Sequence, residues 1–424
     1  MPAKRQRSFQ RTICIEQKVG LLSSERGVQL SKQSEAEQYQ KNESMGINVA
    51  IVGSGPAGCM LARLLLNNDS HVTVTIFESE SSIDFRSQGG TLDLHEKTGQ
   101  AALKKAGLFD AFLKYARYDG EAFKIADKNL LCYITQQGSK GSSTTGRPEI
   151  DRPRLRELIF RSLPEGTIRW SKKLVKISDG HVLSFANDST ASGFDLIVGA
   201  DGAWSKVRPL LSDARPYYSG IAGHSLLISN AEQQVPDLHK LVNRGNLFAF
   251  SDGKSIMAQQ IGDGSINVAT WAKAIRLEYA DWHPELLALT QAANGAAQPR
   301  DLYMLPIGHK WKHRPGVTLI GDAAHVMTPF AGEGVDLAFQ DAMKLAAAIK
   351  ASHSSQELDR KVEAFERDMF QRATETQQLT YDMMTAMFFT PGAPREGIER
   401  YILRAVRGEL GPWITTLLTP VVYV

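Results

Sequence analysis

Apolar and polar residues follow a regular order from Ile47 onward. The apolar run Ile47–Val52 predicts a buried strand, and the amphipathic stretch Pro56–Leu66 predicts a helix. A second apolar run, Val72–Phe77, predicts the next strand. Strand, helix and strand in this order are typical of an α/β fold with a parallel sheet.

A different pattern occupies residues 216–299, where short apolar runs are joined by Asp-Gly pairs. Asp252 with Gly253, and Asp263 with Gly264, each separate two such runs, which is a signal for β-hairpins. We therefore predict an antiparallel sheet inserted into the first domain. A sheet packed beside a nucleotide-binding lobe is a suitable wall for a substrate pocket.

The first pattern returns after residue 300. The run Val317–Ile320 predicts a buried strand, Val335–Ile349 predicts an Ala-rich helix, and residues 357–388 predict a second, longer helix. The whole predicts a Rossmann-like domain of an α/β protein, interrupted by the inserted sheet. The predicted parts are an N-terminal extension (1–45), the first domain in two pieces (46–215 and 300–335), the sheet domain (216–299) and a C-terminal helical region (336–424).

Three glycines follow the first predicted strand at the spacing G-x-G-x-x-G. Gly53 allows a tight turn, Gly55 lets the backbone approach a pyrophosphate, and Gly58 lets the helix pack close to the strand. The pyrophosphate then lies at the helix N-terminus, where amide groups and the helix dipole favour negative charge. Glu78 ends the second strand and can accept hydrogen bonds from ribose hydroxyls. The pattern predicts dinucleotide binding; a Gly-rich turn in an unrelated α/β fold is the alternative.

Other polar residues stand at the ends of predicted strands or at a helix start. Asp201 and Gly202 follow one buried strand, and Asp322 follows another. Ligands of open α/β sheets bind at these carboxyl ends. Asp151 is a suitable N-cap for the helix that carries Arg152. The alternative for Arg152 is a solvated charge on that helix.

The composition of the chain limits which classes of partner and which compartment we expect. Lys and Arg number 49 and Asp and Glu 46, so the net charge of +3 does not indicate nucleic-acid binding. Cys14, Cys59 and Cys132 form neither a metal-ligand pattern nor a disulfide framework, which indicates a reducing compartment. No apolar run reaches the length of a membrane span. We expect a cytoplasmic protein with no metal ion and no transmembrane segment.

The two ends of the chain leave alternatives open. Residues 1–45 are polar and lack a sustained period, which predicts a disordered extension. Their basic residues also fit a mitochondrial transit peptide. The apolar stretch Trp413–Val424 is expected to dock onto the core, with contact to a membrane surface as the alternative.

Three motifs, GSGPAG with Glu78, GADGAWSKVR and GDAAHVMTPFAGEG, stand in this order. The chain from about residue 46 to 388 resembles the group A flavoprotein monooxygenases, the aromatic hydroxylase family. The segments FRSQGGTLDLH and MTPFAGEG are most similar to its tetracycline-degrading branch. The resemblance implies a Rossmann-like FAD-binding lobe, an antiparallel β-sheet substrate lobe and a C-terminal helix that bridges them.

The resemblance assigns cofactor roles. Gly53, Gly55 and Gly58 would carry the FAD pyrophosphate, and Glu78 the adenosine ribose. One departure is Ser79, because that branch has an arginine after the ribose-binding acid, so adenine packing is expected to differ.

Further roles follow for residues outside the glycine turn. Arg152 and Asp93 would contact FAD, and Asp322 would hold its ribityl chain. Arg86 matches an arginine that contacts NADPH. Asp201 and Gly202 match a motif that is linked to both FAD and NADPH.

A loop before the Ala-rich helix is expected near the isoalloxazine. It contains Pro329, Gly332 and Gly334. The amides of the two glycines and the dipole of the helix that follows can face the pyrimidine edge, where reduced flavin is negative. No nucleophile–base pair is needed, and His325 is expected to be structural. Because only one dinucleotide fingerprint is present, NADPH or NADH is expected to visit, reduce FAD and leave.

The predicted function is an FAD-dependent monooxygenase that consumes NADPH or NADH and places one oxygen atom of O2 on an aromatic or polycyclic small molecule, a hydroxylation or epoxidation. Gln259, Asn267 and Trp271 are the candidate substrate contacts, and a fused-ring natural product is the expected substrate. Two alternatives stay open: another FAD-dependent oxidoreductase of this fold, and a non-catalytic FAD-binding protein. The W-x-W-x-I-P motif of halogenases is absent. A monomer is expected.

Overall fold

The computed structural model describes residues 46–67, 71–83, 89–118, 120, 122–137, 146–273 and 279–403. The predictions for the extension 1–45, for Arg86 and for the tail 413–424 lie outside these residues. Within the described ranges, no helix has the length and apolar character needed to cross a membrane.

The first part of the described chain consists mostly of short strands, with helices between some of them. In order they are β1 (Ile47–Val52), α1 (Pro56–Leu66), β2 (Val72–Phe77), β3 (Thr91–Asp93), α2 (Gly99–Lys105), α3 (Phe109–Leu113), β4 (Phe123–Ala126), β5 (Cys132–Gln136), β6 (Glu149–Asp151), α4 (Arg152–Arg161), β7 (Ile168–Arg169), β8 (Leu174–Ser178), β9 (Val182–Phe185), β10 (Thr190–Ala191) and β11 (Leu196–Gly199).

Longer strands follow, and then helices. They are β12 (Tyr217–Ile228), α5 (Ala231–Gln234), α6 (Pro236–Val242), β13 (Asn246–Ser251), β14 (Lys254–Gln260), β15 (Ile266–Ala272), α7 (Pro284–Gln291), β16 (Gln298–Met304), β17 (Val317–Leu319), α8 (Asp322–His325), α9 (Gly334–Lys350) and α10 (Ser355–Met384).

The first lobe is built on a parallel sheet with the strand order β17-β11-β1-β2-β7. β1 pairs with β2 and β11 in parallel, as the βαβ pattern predicts. The predicted bounds of β1, α1 and β2 are confirmed. Their apolar residues are buried because strands of a parallel sheet are covered on both faces. The carboxyl ends of β1, β11 and β17 meet at one edge, which positions the loops that follow them.

The second lobe is a seven-stranded sheet with the order β16-β12-β15-β14-β13-β4-β5. Both predicted hairpins are present: β13 pairs antiparallel with β14, and β14 with β15. Asp252 and Gly253 both have positive φ in the first turn. The sheet also takes β4 and β5 from outside residues 216–299, and β16 extends beyond that range. The predicted domain boundaries stay a prediction.

The two faces of this sheet have different neighbours. One face carries Val268 and Ile256 and packs with residues of α6 and α7. The other carries Trp271 and Met257 and packs with the end of α10 and the residues after it. This second face is the one that turns toward the rest of the molecule.

Helix α10 joins the two lobes, as the resemblance implies. It contains 30 residues and is therefore about 45 Å long. Phe365 and Met369 belong to the core of the first lobe, whereas Met383 and Met384 belong to the apolar cluster on the second sheet. A π-helical turn, Thr385–Phe389, ends the helix.

Candidate functional site

The glycine turn after β1 is closed by contacts that only glycine permits. Gly53 has a φ of +104°, and a Cβ there would lie 2.5 Å from the carbonyl oxygen of Ala200. A Cβ at Gly58 would lie 2.2 Å from the carbonyl oxygen of Gly53. Both distances are too short for real Cβ contacts, so the turn, α1 and the residue after β11 pack against one another through bare backbone.

Gly55 has a different environment. A Cβ at Gly55 would meet no atom within 4 Å, so space adjoins the N-terminus of α1. The first turn of α1 has no acidic residue and no side-chain cap. Its first amides therefore have no intrahelical partner. Space and unpaired amides at a helix N-terminus fit a pyrophosphate.

Glu78 lies directly beside this turn and is buried. Its Oε2 accepts a hydrogen bond from the Ser54 amide at 2.6 Å, and its Oε1 accepts from the Glu80 amide and the Ser79 hydroxyl, each at 2.9 Å. Burial by itself opposes ionisation of Glu78, but these hydrogen bonds outweigh it and lower its pKa. The carboxylate is thus held ionised, with lone pairs remaining for ribose hydroxyls.

Asp322 begins α8, one loop away from the glycine turn. Its side chain is exposed to solvent although protein surrounds it on most sides, which is the property of a group that lines a cavity. It accepts no hydrogen bond from any described residue. Desolvation raises its pKa, and the positive charges of His325, Arg152 and Arg208 oppose that rise. A carboxylate in this setting fits the hydroxyls of a ribityl chain.

Arg152 lies near enough to Asp322 to feel its charge, and Arg208 lies near enough to feel both Asp201 and Asp322. Desolvation lowers the pKa of Arg152, and the charge of Asp322 opposes the change. Asp201 accepts a hydrogen bond from the Lys206 amide at 2.6 Å, and burial raises its pKa. Gly202 follows with a φ of +78° and open space at its Cβ position. The structure therefore brings together cofactor candidates that are far apart in the sequence.

Arg208 belongs to this group, but sequence reasoning did not select it. Its side chain is buried, its Nε donates to the carbonyl of Ala323 at 2.9 Å, and its guanidinium also donates to the carbonyl of Ala203. It thereby ties the loop of Asp201 to the helix of Asp322. The only available signal was its place in the motif GADGAWSKVR.

The predicted flavin loop is a short helical turn, Pro329–Ala331, followed by Gly332 and α9. A Cβ at Gly332 would lie 3.3 Å from Oδ1 of Asp93, so the loop and β3 meet. The amide of Gly332 donates to the carbonyl of Pro329 at 3.0 Å. It is not available to a flavin, contrary to the expectation for this amide. At the N-terminus of α9, a Cβ at Gly334 would meet nothing within 4 Å, so this position stays the candidate for that role.

A titratable cluster adjoins this loop and was missed. His95 lies 3.4 Å from Asp93 and 3.5 Å from Glu333. Desolvation opposes its protonation, but these acids and Asp336 raise its pKa. Asp336 is buried and accepts from the Thr98 hydroxyl at 2.6 Å, and burial raises its pKa. The cluster fixes the N-terminus of α9 beside Asp93.

The substrate candidates occupy the inner face of the second sheet. Gln259 and Asn267 are paired across β14 and β15, and both lie beside Gly90. A Cβ at Gly90 would be 3.6 Å from Nδ2 of Asn267, 3.8 Å from Oε1 of Gln259 and 4.0 Å from Nε of Arg152. Both amides therefore border the cofactor candidates. Trp271 lies on the same face, but it is buried within the apolar cluster that also contains Phe388.

Apolar side chains border these amides. Phe123, Phe248 and Met257 are half-buried on the inner face, and Phe330 of the flavin loop packs against the same apolar cluster, next to Phe388. The arrangement combines an apolar wall with a small number of polar groups, which is typical of small-molecule sites.

Asp151 does not cap α4, contrary to the sequence expectation. Its carboxylate accepts from the Gly262 amide at 3.0 Å and from Arg117 at 3.4 Å instead. The second sheet competes for this side chain. Asp151 therefore joins the two lobes, and the helix start next to Arg152 lacks a side-chain cap.

His325 is buried and is bound within the protein. Its Nε2 lies 2.6 Å from Oδ2 of Asp341 in α9. Among the described residues, no group of three or more His, Cys, Asp or Glu side chains could hold a metal ion.

Comparison with known proteins agrees with this geometry. The model of a family described as FAD binding domain matches residues 46–380. The monooxygenase asqM of Emericella nidulans is 29% identical, over 80% of this chain and 95% of its own. The monooxygenase penA of Penicillium thymicola is also 29% identical, over 82% of this chain and 97% of its own.

A solved structure has the same fold. The tetracycline destructase Tet(55) superposes with a TM-score of 0.65 at 16% identity, over 86% of this chain and 97% of its own. The predicted fold and the predicted cofactor, FAD, are confirmed. Because the family match spans most of the chain, the protein belongs to the FAD binding domain family and is an FAD-dependent monooxygenase.

Proposed function

We propose that the enzyme uses NADPH or NADH to place one oxygen atom of O2 on an aromatic or polycyclic small molecule, a natural product of fused-ring type. The observation that carries this proposal is the wall between the lobes, where Gln259 and Asn267 border Gly90 and an apolar surface continues to Phe330. A flat, apolar molecule with one or two polar groups suits such a wall.

Each cofactor contact has a residue suited to it. The turn at Gly55 would hold the pyrophosphate, Glu78 the adenosine ribose and Asp322 the ribityl chain. When bound, FAD would accept electrons from NADPH or NADH and would supply the chemistry that activates O2. Asp201, Gly202 and Arg208 support the cofactor from the next loop. The roles of these residues are proposals that rest on their convergence around one cavity.

The protein's own task is to position groups and exclude water. The N-terminus of α9 at Gly334 would face developing negative charge, because helix dipoles favour it there. Phe248, Met257 and Phe330 would shield the reacting region from solvent. His95 lies between Asp93 and Glu333 near the loop, and the surrounding acids raise its pKa against the effect of desolvation.

The names of the relatives agree with this reaction. Both asqM and penA are named monooxygenases, and a relative from Pseudomonas putida is named salicylate hydroxylase, after an aromatic compound. We propose a monomer in the cytoplasm, with the domain division given by the sequence pattern.

The test is a substrate screen with FAD-loaded protein. Aromatic and polycyclic compounds are added with NADPH or NADH, and coenzyme oxidation is recorded together with the product mass under ¹⁸O2. We expect coenzyme oxidation that depends on one compound class and incorporation of a single labelled oxygen. Coenzyme oxidation without labelled product indicates another flavin oxidoreductase, and no oxidation with any compound indicates a non-catalytic FAD-binding protein.

A further inference from the structure

Three side chains form a continuous hydrogen-bonded chain behind the substrate wall. Nδ2 of Asn246 in β13 donates to Oε1 of Glu149 in β6 at 2.5 Å. Nε2 of Gln259 in β14 donates to Oδ1 of Asn246 at 2.9 Å. Glu149 and Asn246 are buried, whereas Gln259 is half-buried and ends the chain at the cavity beside Gly90.

The ionised carboxylate of Glu149 gives this chain a direction. A carboxylate can only accept, so the NH2 group of Asn246 must face Glu149 and its oxygen must face Gln259. The NH2 group of Gln259 must then face Asn246. This leaves Oε1 of Gln259 on the cavity side, where no described residue donates a hydrogen bond to it. The wall consequently presents a hydrogen-bond acceptor.

We propose that Glu149 is a specificity-determining residue, which sets through Asn246 whether Gln259 offers the substrate an acceptor or a donor. The inference rests on the proposed function in one respect, since it takes the occupant of the cavity to be an aromatic substrate. Glu149 touches neither substrate nor cofactor in this scheme, so it acts as a positioning residue.

Protonation of Glu149 reverses the donor–acceptor direction of the hydrogen bonds from Glu149 through Asn246 to Gln259. The proton belongs on Oε1, because Arg117 donates to Oε2 at 3.2 Å. The new O–H donates to Oδ1 of Asn246, both amides turn over, and Nε2 of Gln259 faces the cavity. A 3.4 Å hydrogen bond from Nδ2 of Asn246 to the carbonyl of Gly120 opposes the turning of the amides. The Thr91 hydroxyl and the charge of Arg117 oppose the protonation itself.

The surroundings of Glu149 place this reversal near neutral pH. Desolvation raises its pKa to about 7, against the lowering effects of Asn246, Arg117 and Thr91. Asp93, its register partner on β3, adds a repulsive negative charge. Asp151 also binds Arg117, at 3.4 Å, and so shares the cation that faces Glu149.

The test compares two probes that differ by one donor. The dissociation constants of 2-naphthol, which has a hydroxyl donor, and 2-methoxynaphthalene, which has none, are measured on FAD-loaded protein from the flavin absorbance. At about pH 8 we expect naphthol to bind about threefold to tenfold more tightly, the range for one neutral hydrogen bond. At about pH 5.5 the preference should approach one.

Glu149→Gln separates this scheme from a general effect of pH. Arg117 will hold the amide oxygen of the new side chain, so its NH2 group faces Asn246 and fixes the reversed chain. We expect the naphthol preference to be lost at both pH values. The matched control is Glu165→Gln, an exposed position that should keep the wild-type pH dependence. Gln259→Leu should remove the preference at every pH.

The wild-type measurement alone can overturn the inference. A naphthol preference that does not change with pH overturns it, as does a pH-dependent preference that survives in Glu149→Gln. Binding of neither probe at any pH also overturns it. That result leaves the oxygenation proposal to the coenzyme and ¹⁸O2 screen, which is scored on other compounds.

Discussion

Nε2 of His325 lies 2.6 Å from Oδ2 of Asp341, and both side chains are buried. The same carboxylate oxygen accepts from the Gly321 amide at 3.1 Å, and the other oxygen accepts from Arg372 at 2.9 Å. Asp341 therefore fixes the turn that presents Asp322 to the cavity, and it connects that turn to α10. His325 acts through this structure, in agreement with a structural role.

Asp341→Ala should destabilise the protein strongly. Removing one partner of a buried ionic group leaves the others uncompensated, which costs about 3–5 kcal/mol. We expect a large fall in the melting temperature of the FAD-free protein. The control is Asp368→Ala, because Asp368 binds the same Arg372 but is exposed; exposed pairs are worth about 1 kcal/mol or less. Similar losses in both variants would contradict the argument.

Asp322→Ala should weaken FAD binding without affecting the FAD-free fold. The carboxylate has no hydrogen-bond donor among the described residues, so the apo structure loses little. A charge-assisted hydrogen bond to FAD is worth about 1.5–3 kcal/mol, which predicts roughly a tenfold to hundredfold rise in the dissociation constant. Melting curves with and without FAD measure both quantities. Equal stabilisation by FAD in wild type and variant would remove Asp322 from the site.

Gly55→Ala and Gly58→Ala form a matched pair. The backbone of Gly55 has a φ of −66°, which alanine accepts, and its Cβ would enter open space. We expect Gly55→Ala to keep the apo melting temperature and to lose FAD affinity, because the methyl group occupies the approach to the pyrophosphate. Gly58→Ala should lower the apo melting temperature itself, since its Cβ would collide with the Gly53 carbonyl. A reversed pattern would show that the space beside Gly55 is not the cofactor's.

Glu149 should make stability depend on pH. Burial raises its folded-state pKa to about 7 from 4.5, so the folded protein retains a proton that the unfolded chain has released. The contribution of Glu149 to the free energy of unfolding therefore falls by up to about 3 kcal/mol as the pH rises from 4.5 to about 7. Glu149→Gln does not titrate, so its stability relative to wild type should increase between about pH 5 and pH 8. A constant difference across this range would mean that the pKa of Glu149 is not raised.

Purified protein should release FAD and not FMN on heating. Glu78 is buried beside the glycine turn with its pKa lowered, an arrangement that suits the ribose of the adenosine half. Chromatography of the released chromophore identifies it. FMN, or no chromophore after incubation with FAD, would contradict the assignment of Glu78.

The sequence by itself determined the glycine turn, the first strands, the two hairpins and the acids that end the strands. These features depend on short spacings and on local backbone requirements, such as the positive φ of Gly53. Asp322 and Asp201 could be selected as candidates because the carboxyl ends of parallel strands meet at one edge of a sheet.

Only the tertiary structure decided which distant groups compete for each polar side chain. Asp151 has the sequence position of an N-cap, yet the amide of Gly262 and the charge of Arg117 take its carboxylate. Glu149 and Gln259 are separated by more than a hundred residues, and only sheet pairing places Asn246 between them. Hydrogen-bond direction and pKa depend on every group that burial brings into contact, and no local pattern in the chain records those contacts.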